Sequence, residues 1–295
     1  MRKQFNKTIT DIFLKDKKAV MLLGDIGVFA FRHLFKKYPK RLYNIGILEQ
    51  SMISIAAGIS NEGFNPIVHT IAPFIVNRAF EQLKIDFGYN KLKGNFVSIG
   101  SSYDYAALGC THHCPEDVNL MHNIPGMDIV VPGSSKEFDR LFKQGYKKNN
   151  PKYYRLTDFE NKYDFDVKYG KGNLINNSSK TTIITFGPTL NFIMPIVKKY
   201  KVNLAYFTTV RPLDNKLISK VNSISKNIII IEPFYTGSVI SEIIKILKTD
   251  VKLSNISVPT KFLTNYGLKP EHDKKLGFSM EFLSNKIKKI LRNEK

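Results

Sequence analysis

Short apolar segments alternate with amphipathic segments along most of the chain, and this alternation limits the possible folds more than any other feature. The apolar segments have the length of buried strands, as in KAVMLLGDIG, FNPIVHTIA and NIIIIEPF. The segments between them, such as SKEFDRLFKQGYKKN, have the periodicity of helices. This order predicts an α/β fold made of open parallel sheets with helices on both faces.

A polar segment rich in Asn, Gly, Lys and Asp interrupts the alternation once, in the middle of the chain. We therefore predict two open parallel-sheet α/β domains, at residues 1–160 and 175–295, joined by a linker at 161–174. The chain has 295 residues, which is enough for two domains of ordinary size.

The chain is strongly basic, with a formal net charge of +20. This charge suits an anionic partner, but the lysines are spread along the whole chain, so no nucleic-acid partner is predicted. No apolar run approaches the roughly 18 residues of a membrane span, and the N-terminal segment lacks the apolar core of a signal peptide. Two cysteines give no disulfide framework. These features predict a cytoplasmic protein without a membrane partner.

Glu49 stands where a strand-like segment, YNIGIL, meets a helix of small residues. Ligands of open parallel sheets bind beyond the carboxyl ends of strands, so a carboxylate there is well placed for chemistry. The apolar neighbours Ile47, Leu48, Met52 and Ile53 predict partial desolvation of this carboxyl group, which favours its neutral form. Taken alone, Glu49 fits the role of a helix cap equally well.

The segment CTHHC, residues 110–114, brings together four side chains that bind transition metals. A zinc site needs four tetrahedral ligands, and the available set is Cys110, Cys114, one of the two adjacent histidines and His122. Because no second cysteine pair follows, no metal site is predicted here.

Several longer segments identify a family resemblance. YNIGILEQSMISIAAGISNEGFNPIVHT, FIVNRAFEQLKID and GCTHHCPEDVNLMHNIPGMDIVVPGSSKEFDRLF resemble the pyrimidine-binding domain of thiamine-diphosphate enzymes of the transketolase group. That group includes deoxyxylulose-phosphate synthase and the split transketolases. The second half, with TIITFGPT, TTVRPLD and IIIIEPFYTGSVISEIIK, looks like the C-terminal domain that follows in transketolases. The resemblance begins near residue 18 and covers nearly all of the rest.

The resemblance implies specific cofactor contacts. In the family, the Glu that matches Glu49 hydrogen-bonds N1′ of the aminopyrimidine ring of thiamine diphosphate and promotes formation of the nucleophile on the thiazolium ring. The pyrimidine stacks on an aromatic ring, here Phe74. However, Phe74 precedes Arg78 by four residues where synthases of the group have three, so Ile75 is the alternative. Arg78 and Gln82 match family positions that line the same pocket.

The same resemblance implies a second polypeptide. Asp25, in LGDIG, matches an Asp near the cofactor, and GDIG also resembles the start of the motif that holds Mg²⁺ and the diphosphate. Ile26 replaces its second glycine and the downstream Asn pair is missing, so that motif is absent. We therefore expect a partner subunit that carries the diphosphate-binding domain and its Mg²⁺, in a two-plus-two heterotetramer.

The family places a substrate-binding loop at CTHHC. Relatives read GEDGPTHQ or GADGPTHH where this chain reads AALGCTHH, so Thr111 and His112 are retained. His112 matches a histidine that contacts substrate oxygens beside the reacting carbon, where an imidazole donates hydrogen bonds and transfers protons. His113 is a further catalytic candidate, or it only orders the loop.

Other substrate positions depart from the family. Leu108 replaces an Asp that reads a sugar hydroxyl, Gly100 a phosphate-contacting His, and Phe29 a phosphate-contacting Ser. Asp158 falls where the family has an Arg that binds the terminal phosphate. If the register slips, Arg155 takes the place of that Arg. These changes predict an unusual acceptor, such as a nucleotide-linked or unphosphorylated keto sugar.

The resemblance implies a transketolase-like transferase that moves a two-carbon ketol or acyl unit to a carbonyl acceptor. Two alternatives remain. The beta subunit of a 2-oxo acid dehydrogenase or decarboxylase has the same two domains and also needs a partner. A non-catalytic regulatory subunit is the other alternative, against which the retained Glu49 argues.

Overall fold

Two β-sheets form the framework of the protein, in a computed structural model that describes residues 1–248 and 250–292. Most neighbouring strands are parallel, so the predicted α/β fold with two open sheets is confirmed. The strands, in chain order, are β1 (Ala19–Leu23), β2 (Leu42–Asn44), β3 (Asn65–Ile71), β4 (Gly94–Ile99), β5 (Asp128–Val130), β6 (Pro151–Arg155), β7 (Gly172–Ile175), β8 (Thr181–Phe186), β9 (Asn203–Phe207), β10 (Thr209–Arg211), β11 (Asn227–Tyr235) and β12 (Lys252–Val258).

The α-helices lie mainly between the strands, as the alternating pattern predicts. They are α1 (Arg2–Lys15), α2 (Arg32–Lys37), α3 (Glu49–Asn61), α4 (Phe80–Gln82), α5 (Asp117–His122), α6 (Ser135–Gly145), α7 (Leu190–Tyr200), α8 (Asn215–Ile224), α9 (Ile240–Ile244), α10 (Lys269–Lys275) and α11 (Met280–Arg292). Two π-helical segments, Phe74–Arg78 and Leu83–Tyr89, flank α4.

The larger sheet has the strand order β10-β5-β6-β4-β3-β1-β2, and only β10 is antiparallel to its neighbour. Every residue of β1, β4 and β6 is buried, because parallel sheets are covered on both faces. β1 is accordingly apolar throughout, whereas β4 also buries Asn95 and Ser98, and β6 also buries Lys152 and Arg155. Strands β4, β3, β1 and β2 are adjacent, so the loops that follow their carboxyl ends meet at one edge of the sheet.

The smaller sheet has the order β12-β11-β8-β9-β7, with β7 antiparallel to β9. Two strands depart from the expected division of the chain into two domains and a linker. β7 begins at Gly172, within the residues expected as a linker, and β10 belongs to the second half of the sequence but pairs with β5 of the larger sheet.

Glu137 connects the two halves at the start of α6. Ser134 caps this helix, because its side chain accepts a hydrogen bond from Glu137 N at 3.3 Å. The Glu137 carboxylate accepts from Gly133 N at 2.7 Å and from the Tyr206 hydroxyl, on β9, at 2.8 Å. Burial raises the pKa of Glu137 to about 7.

The longest described helices are α1, with 14 residues, and α3 and α11, with 13 each. Both α1 and α11 bury one apolar face and expose lysines on the other. Among the helices of residues 1–248 and 250–292, none has both the length and the apolar character needed to cross a membrane.

Candidate active site

Glu49 is the first residue of α3, and its side chain is completely buried. Its Oε2 accepts a hydrogen bond from Arg78 Nη1 at 2.6 Å, and its Oε1 accepts a weaker one from Thr70 Oγ1 at 3.4 Å. Ile47 and Leu48, expected to desolvate it, are instead 65% and 58% exposed. The carboxylate is therefore removed from water but paired with a cation, a partner that the apolar sequence around it did not indicate.

Thr70 reaches Glu49 because the residue opposite it is a glycine. A Cβ on Gly24, just after β1, would lie 2.9 Å from Thr70 Oγ1, closer than real Cβ contacts allow. Thr70 was not among the predicted site residues. The sequence feature that could have indicated Thr70 is its position at the end of a predicted strand, since the Gly of LGDIG also follows a predicted strand.

Asp25 lies beside this glycine, with a left-handed backbone (φ 54°) that Asp adopts more readily than most residues. Its backbone N donates to Asn44 Oδ1, and Asn44 Nδ2 donates to Asp25 Oδ1, both at 3.0 Å. This reciprocal pair joins the ends of β1 and β2. The exposed Asp25 is thus held at the same sheet edge as Glu49.

The segment Phe74–Arg78 is π-helical, which accounts for the unusual spacing of these two residues. A π-helical turn accommodates one residue more than an α-helical turn and is frequent at functional sites. Ile75 is completely buried, whereas Phe74 is half-buried and its ring lies 4.3 Å from the Arg78 guanidinium carbon. Phe74, rather than Ile75, therefore faces Arg78. Gln82 ends α4, one turn further on, and is half-buried.

The CTHHC segment ends a loop that starts at Ser102. Cys114 N donates to Ser102 O at 2.8 Å and closes the base of the loop. His112 is half-buried, and its ring lies 5.3 Å from the Phe74 ring. Thr111 Oγ1 lies 3.0 Å from His112 Nδ1. His112 is thereby brought next to Phe74, and through it to Arg78 and Glu49.

His113 is in a different environment from His112. Its ring is buried, 5.0 Å from the ring of Tyr103 and 5.2 Å from that of His272, on α10 of the second half. Burial, together with the nearby His272, lowers the pKa of His113 to about 4. His113 is therefore neutral at neutral pH.

A cleft of about 490 Å³ lies between the two halves of the chain. Its lining residues include Phe74, Asn77, Arg78, Cys110, Thr111, His113 and Glu116 from the first half, and Tyr235, Lys261, Phe262 and Leu263 from the second half. Glu49 lies behind Arg78. The second-half residues were not predicted, because no sequence motif marks them.

Glu116 is another site residue that the sequence did not reveal. Its Oε1 accepts a hydrogen bond from Asn77 Nδ2 at 2.7 Å, next to the π-helical segment. Burial raises the pKa of Glu116. Its position after THHCP, facing a polar residue on a neighbouring helix, was not recognisable from spacing.

The two cysteines do not form a metal site with the histidines. Cys110 is exposed, Cys114 is buried, and both are free thiols. Burial raises the pKa of the Cys114 thiol. His122 Nδ1 lies 2.6 Å from Ser238 O. Within the described residues, no group of three or more Cys, His, Asp or Glu side chains could hold a metal ion.

Arg155 was a candidate for substrate binding, but the structure gives it other partners. It is only 3% exposed, with Nε donating to Asp117 Oδ2 at 2.6 Å and Nη2 donating to Ser102 Oγ at 2.5 Å. It also lines a different cavity, of about 380 Å³, together with Phe159 and other residues. A contact between Arg155 and substrate would have to compete with this buried ion pair.

The other altered substrate positions offer little to a phosphate. A Cβ on Gly100 would lie 2.5 Å from the Tyr105 ring, so this ring occupies the space of a side chain at position 100. Phe29 is 79% exposed, and Asp158 pairs with Arg2 at 3.1 Å. Leu108, half exposed at 52%, lies on the same loop as His112.

Comparison with known proteins agrees with this architecture. The family model of the transketolase pyrimidine-binding domain matches residues 1–158. The chain is 28% identical to an uncharacterized 33.6 kDa protein in the fasciation locus of Rhodococcoides fascians, over 97% of this chain and 93% of the relative. It is also 28% identical to one of the subunits of the apulose-4-phosphate transketolase of Phocaeicola vulgatus, over 78% of each chain.

Solved structures share the fold. A split-gene transketolase, described as an inactive beta4 tetramer, has a TM-score of 0.84 at 20% identity and covers 98% of this chain and 96% of its own. The transketolase of Campylobacter jejuni has a TM-score of 0.80 at 17% identity, covering 97% of this chain but 46% of its own. The two mostly parallel sheets are therefore an arrangement found in transketolase-like structures.

Proposed function

The chain belongs to the transketolase pyrimidine-binding family, a family of thiamine-diphosphate enzyme subunits, and we propose that it is one subunit of a two-subunit transketolase-like transferase. The proposed reaction transfers a two-carbon ketol or acyl unit to a carbonyl acceptor. The observation that carries the proposal is the buried Glu49 carboxylate, paired with Arg78 beside the ring of Phe74.

These residues fit an aminopyrimidine ring. Such a ring needs a group that shares a proton with its ring nitrogen and an aromatic face for stacking, which Glu49 and Phe74 supply. The Arg78 guanidinium contacts both the Glu49 carboxylate and the Phe74 ring. Its side chain is 37% exposed, so it can move aside when a ring enters. Asp25 and Gln82 complete the proposed cofactor-binding set. When bound, thiamine diphosphate supplies the nucleophilic carbon.

His112 is the proposed group for proton transfer to substrate oxygens. Its ring lies beside Phe74, and the contact of Nδ1 with Thr111 Oγ1 directs Nε2 to the substrate in this proposal. A hydrogen-bond donor at that position stabilises negative charge that develops on a substrate oxygen. His113, buried and neutral, is the second catalytic candidate from the sequence.

The proposed partner subunit carries the diphosphate-binding domain and Mg²⁺. Three observations support it: the GDIG segment lacks the diphosphate motif, relatives are named as single subunits of apulose-4-phosphate transketolases, and a split-gene relative is described as inactive as a beta4 tetramer. Exposed apolar side chains near Glu49 offer a surface for such a partner. They include Ile47, Leu48, Ile55, Ile85 and Tyr89. A heterotetramer is the proposed assembly.

The proposed acceptor differs from an ordinary sugar phosphate. Leu108 has no polar group for a sugar hydroxyl, and the ring of Tyr105 fills the space next to Gly100. Asp158 would repel a phosphate, and it is already paired with Arg2. A nucleotide-linked or unphosphorylated keto sugar suits these changes better.

The test is reconstitution with a candidate partner that carries the Gly-Asp-Gly and Asn-Asn motif. Circular dichroism should detect a thiamine-diphosphate complex only when both chains are present. Product analysis then compares a ketose donor with pyruvate. Acetyl products from pyruvate alone would favour the 2-oxo acid dehydrogenase alternative, and failure to bind the cofactor with any partner would favour a regulatory subunit. A fast reaction with ribose 5-phosphate would contradict the proposed acceptor.

A further inference from the structure

The segment between β12 and α10, residues 259–268, forms part of the cleft wall. Lys261, Phe262 and Leu263 line the same cleft as Phe74 and Arg78 of the first half. The segment comes from the second half of the chain, so the site is built from both halves. We call residues 259–268 the wall segment.

Two contacts hold the wall segment against the rest of the protein. The Tyr235 hydroxyl donates to Lys261 O at 3.2 Å. The Tyr266 ring lies against the backbone of Gly109, where an added Cβ would be only 2.8 Å from its Cε1. The wall segment therefore lies against the loop that carries Leu108 and His112, at Gly109 between them.

Lys261 is a cation of this cleft that has no carboxylate partner in the part of the chain that the structure describes. Arg78 pairs with Glu49, and Glu116 accepts from Asn77. Across residues 1–248 and 250–292, no carboxylate oxygen lies within 4.0 Å of Lys261 Nζ. An anionic group that enters the cleft therefore finds an available positive charge on the wall segment.

Large apolar side chains accompany this charge. Phe262 is 79% exposed and Tyr266 is 73% exposed, and Leu108, next to Gly109, is 52% exposed. Phe262 lines the cleft, and Tyr266 lies beside it, against Gly109. Aromatic rings exposed to this extent next to a cleft are typical of a ligand-binding surface, because they offer flat faces for stacking. A nucleobase has a planar aromatic face that stacks on such rings, which a bare sugar phosphate lacks.

We propose that the wall segment recognises a nucleoside diphosphate group, with Lys261 binding the diphosphate and Phe262 and Tyr266 stacking on the base. The inference that this group belongs to the acceptor, as a nucleotide-linked keto sugar, rests on the proposed function. Binding of the nucleotide itself does not depend on it. In this proposal the wall segment selects the acceptor, because Gly100, Leu108 and Asp158 lack the polar groups that bind a sugar phosphate in relatives.

Isothermal titration of the full chain, alone and with its partner, tests the proposal. The probes are uridine, thymidine, cytidine, guanosine and adenosine diphosphates, with inorganic pyrophosphate and ribose 5-phosphate for comparison. At least one nucleoside diphosphate should bind about tenfold or more tightly than pyrophosphate, because stacking adds to the charge interaction. Equal affinity for all probes would overturn the proposal.

Variants identify the site. Lys261→Ala and Phe262→Ala should each weaken nucleotide binding by about tenfold. The matched controls, Lys274→Ala at an exposed position of α10 and Phe64→Ala at an exposed position ahead of β3, should leave it unchanged. Tight nucleotide binding that neither wall variant weakens would place the nucleotide elsewhere and reject the inference.

The two proposals fail in different ways. Glu49→Gln should remove turnover but keep nucleotide affinity, because Glu49 lies behind Arg78 and is no part of the wall segment. Nucleotide binding without thiamine-diphosphate binding would reject the proposed function and support nucleotide recognition by the wall segment. Thiamine-diphosphate binding without nucleotide binding would support the proposed function and reject nucleotide recognition by the wall segment.

Discussion

Arg78 Nη1 lies 2.6 Å from Glu49 Oε2, so the buried carboxylate at the start of α3 has a cationic partner from the π-helical segment. The same guanidinium lies over the ring of Phe74. Arg78 therefore covers both surfaces that we assign to the pyrimidine ring. A cofactor that enters this site must replace these contacts of Arg78 with its own.

Glu49→Gln keeps the size of the side chain and removes its charge. We expect kcat of the reconstituted enzyme to fall by roughly 10²–10⁴-fold, the range for loss of a group that positions or transfers a proton. Circular dichroism and thermal unfolding should show an intact fold. Glu62→Gln, exposed at the other end of α3, is the matched control and should keep full activity. An active Glu49→Gln enzyme would exclude the assignment.

Phe74→Ala and Ile75→Ala should have opposite effects, because the π-helical segment turns only Phe74 toward Arg78. Phe74→Ala should weaken thiamine-diphosphate binding about tenfold, the value of an aromatic contact of this kind, with little change in stability. Ile75→Ala should cost about 2–5 kcal/mol of unfolding free energy and leave cofactor affinity unchanged. Titration of the cofactor and urea unfolding measure the two effects, and the reverse pattern would assign the stacking position to Ile75.

His112→Ala should reduce kcat by about 10²-fold or more, because the proposed proton-transfer group is lost. His113→Phe should retain most of the activity, since His113 packs between Tyr103 and His272 in a neutral form. Parallel kinetics of the two variants separate the roles. Equal losses would show that His113 also contacts substrate.

The stability of the chain should depend on pH through His113. Its folded-state pKa, about 4 because of burial, is below the ordinary value of 6.5, so the unfolded chain takes up the proton first. The contribution of neutral His113 is complete above pH 6.5 and is lost as pH falls toward 4. Relative to His113→Phe, the unmodified chain should lose roughly 2–3 kcal/mol between pH 7.5 and pH 4.5.

Urea unfolding of both chains at these two pH values measures this difference. Titrating groups that do not interact with His113 cancel in the comparison, whereas His272 and His112, which lower its pKa, contribute to the difference. At pH 7.5 the two chains should differ by about 1 kcal/mol or less, because both ring nitrogens of His113 lack hydrogen-bond partners among the described residues. A difference that does not change with pH would contradict the neutral state of His113.

Arg155 and Asp117 should matter for stability rather than for substrate affinity. Asp117→Leu leaves a buried guanidinium without its counter-charge and should cost about 3–5 kcal/mol. The double variant Asp117→Leu/Arg155→Met should recover most of this loss. Asp158→Asn, in a half-exposed pair with Arg2, should cost about 1 kcal/mol or less. A stable Arg155→Met enzyme with a raised KM for the acceptor would instead support a substrate contact.

The fold was predictable because strand burial leaves a direct trace in the sequence. The fully buried strand β1 and the centre of β11 are continuous apolar runs, and the amphipathic segments between strands predicted helices. The pairing of β10 with β5 left no such trace, because three residues of a strand carry too little pattern to name their partner.

Candidate site residues could be named from the sequence where a motif marks them, but not where the cleft depends on packing. Glu49 was singled out by its place after a strand-like segment, and both Glu49 and His112 received their predicted roles from the family resemblance. The extra residue between Phe74 and Arg78 was visible as a count, but only the backbone shows that a π-helical turn absorbs it. Lys261 reaches the cleft through tertiary contacts of the second half, which no local pattern encodes.

The hydrogen bonds between β10 and β5 have a consequence for how the protein responds to proteases. A protease that cuts the exposed polar residues near 162–166 would not release an independent N-terminal fragment, because an edge strand of that fragment's sheet is supplied from beyond the cut. The two pieces should co-elute under native conditions and separate only in denaturant. Truncated chains that end at the apparent boundary would lack this strand and expose the edge of β5, where aggregation would begin.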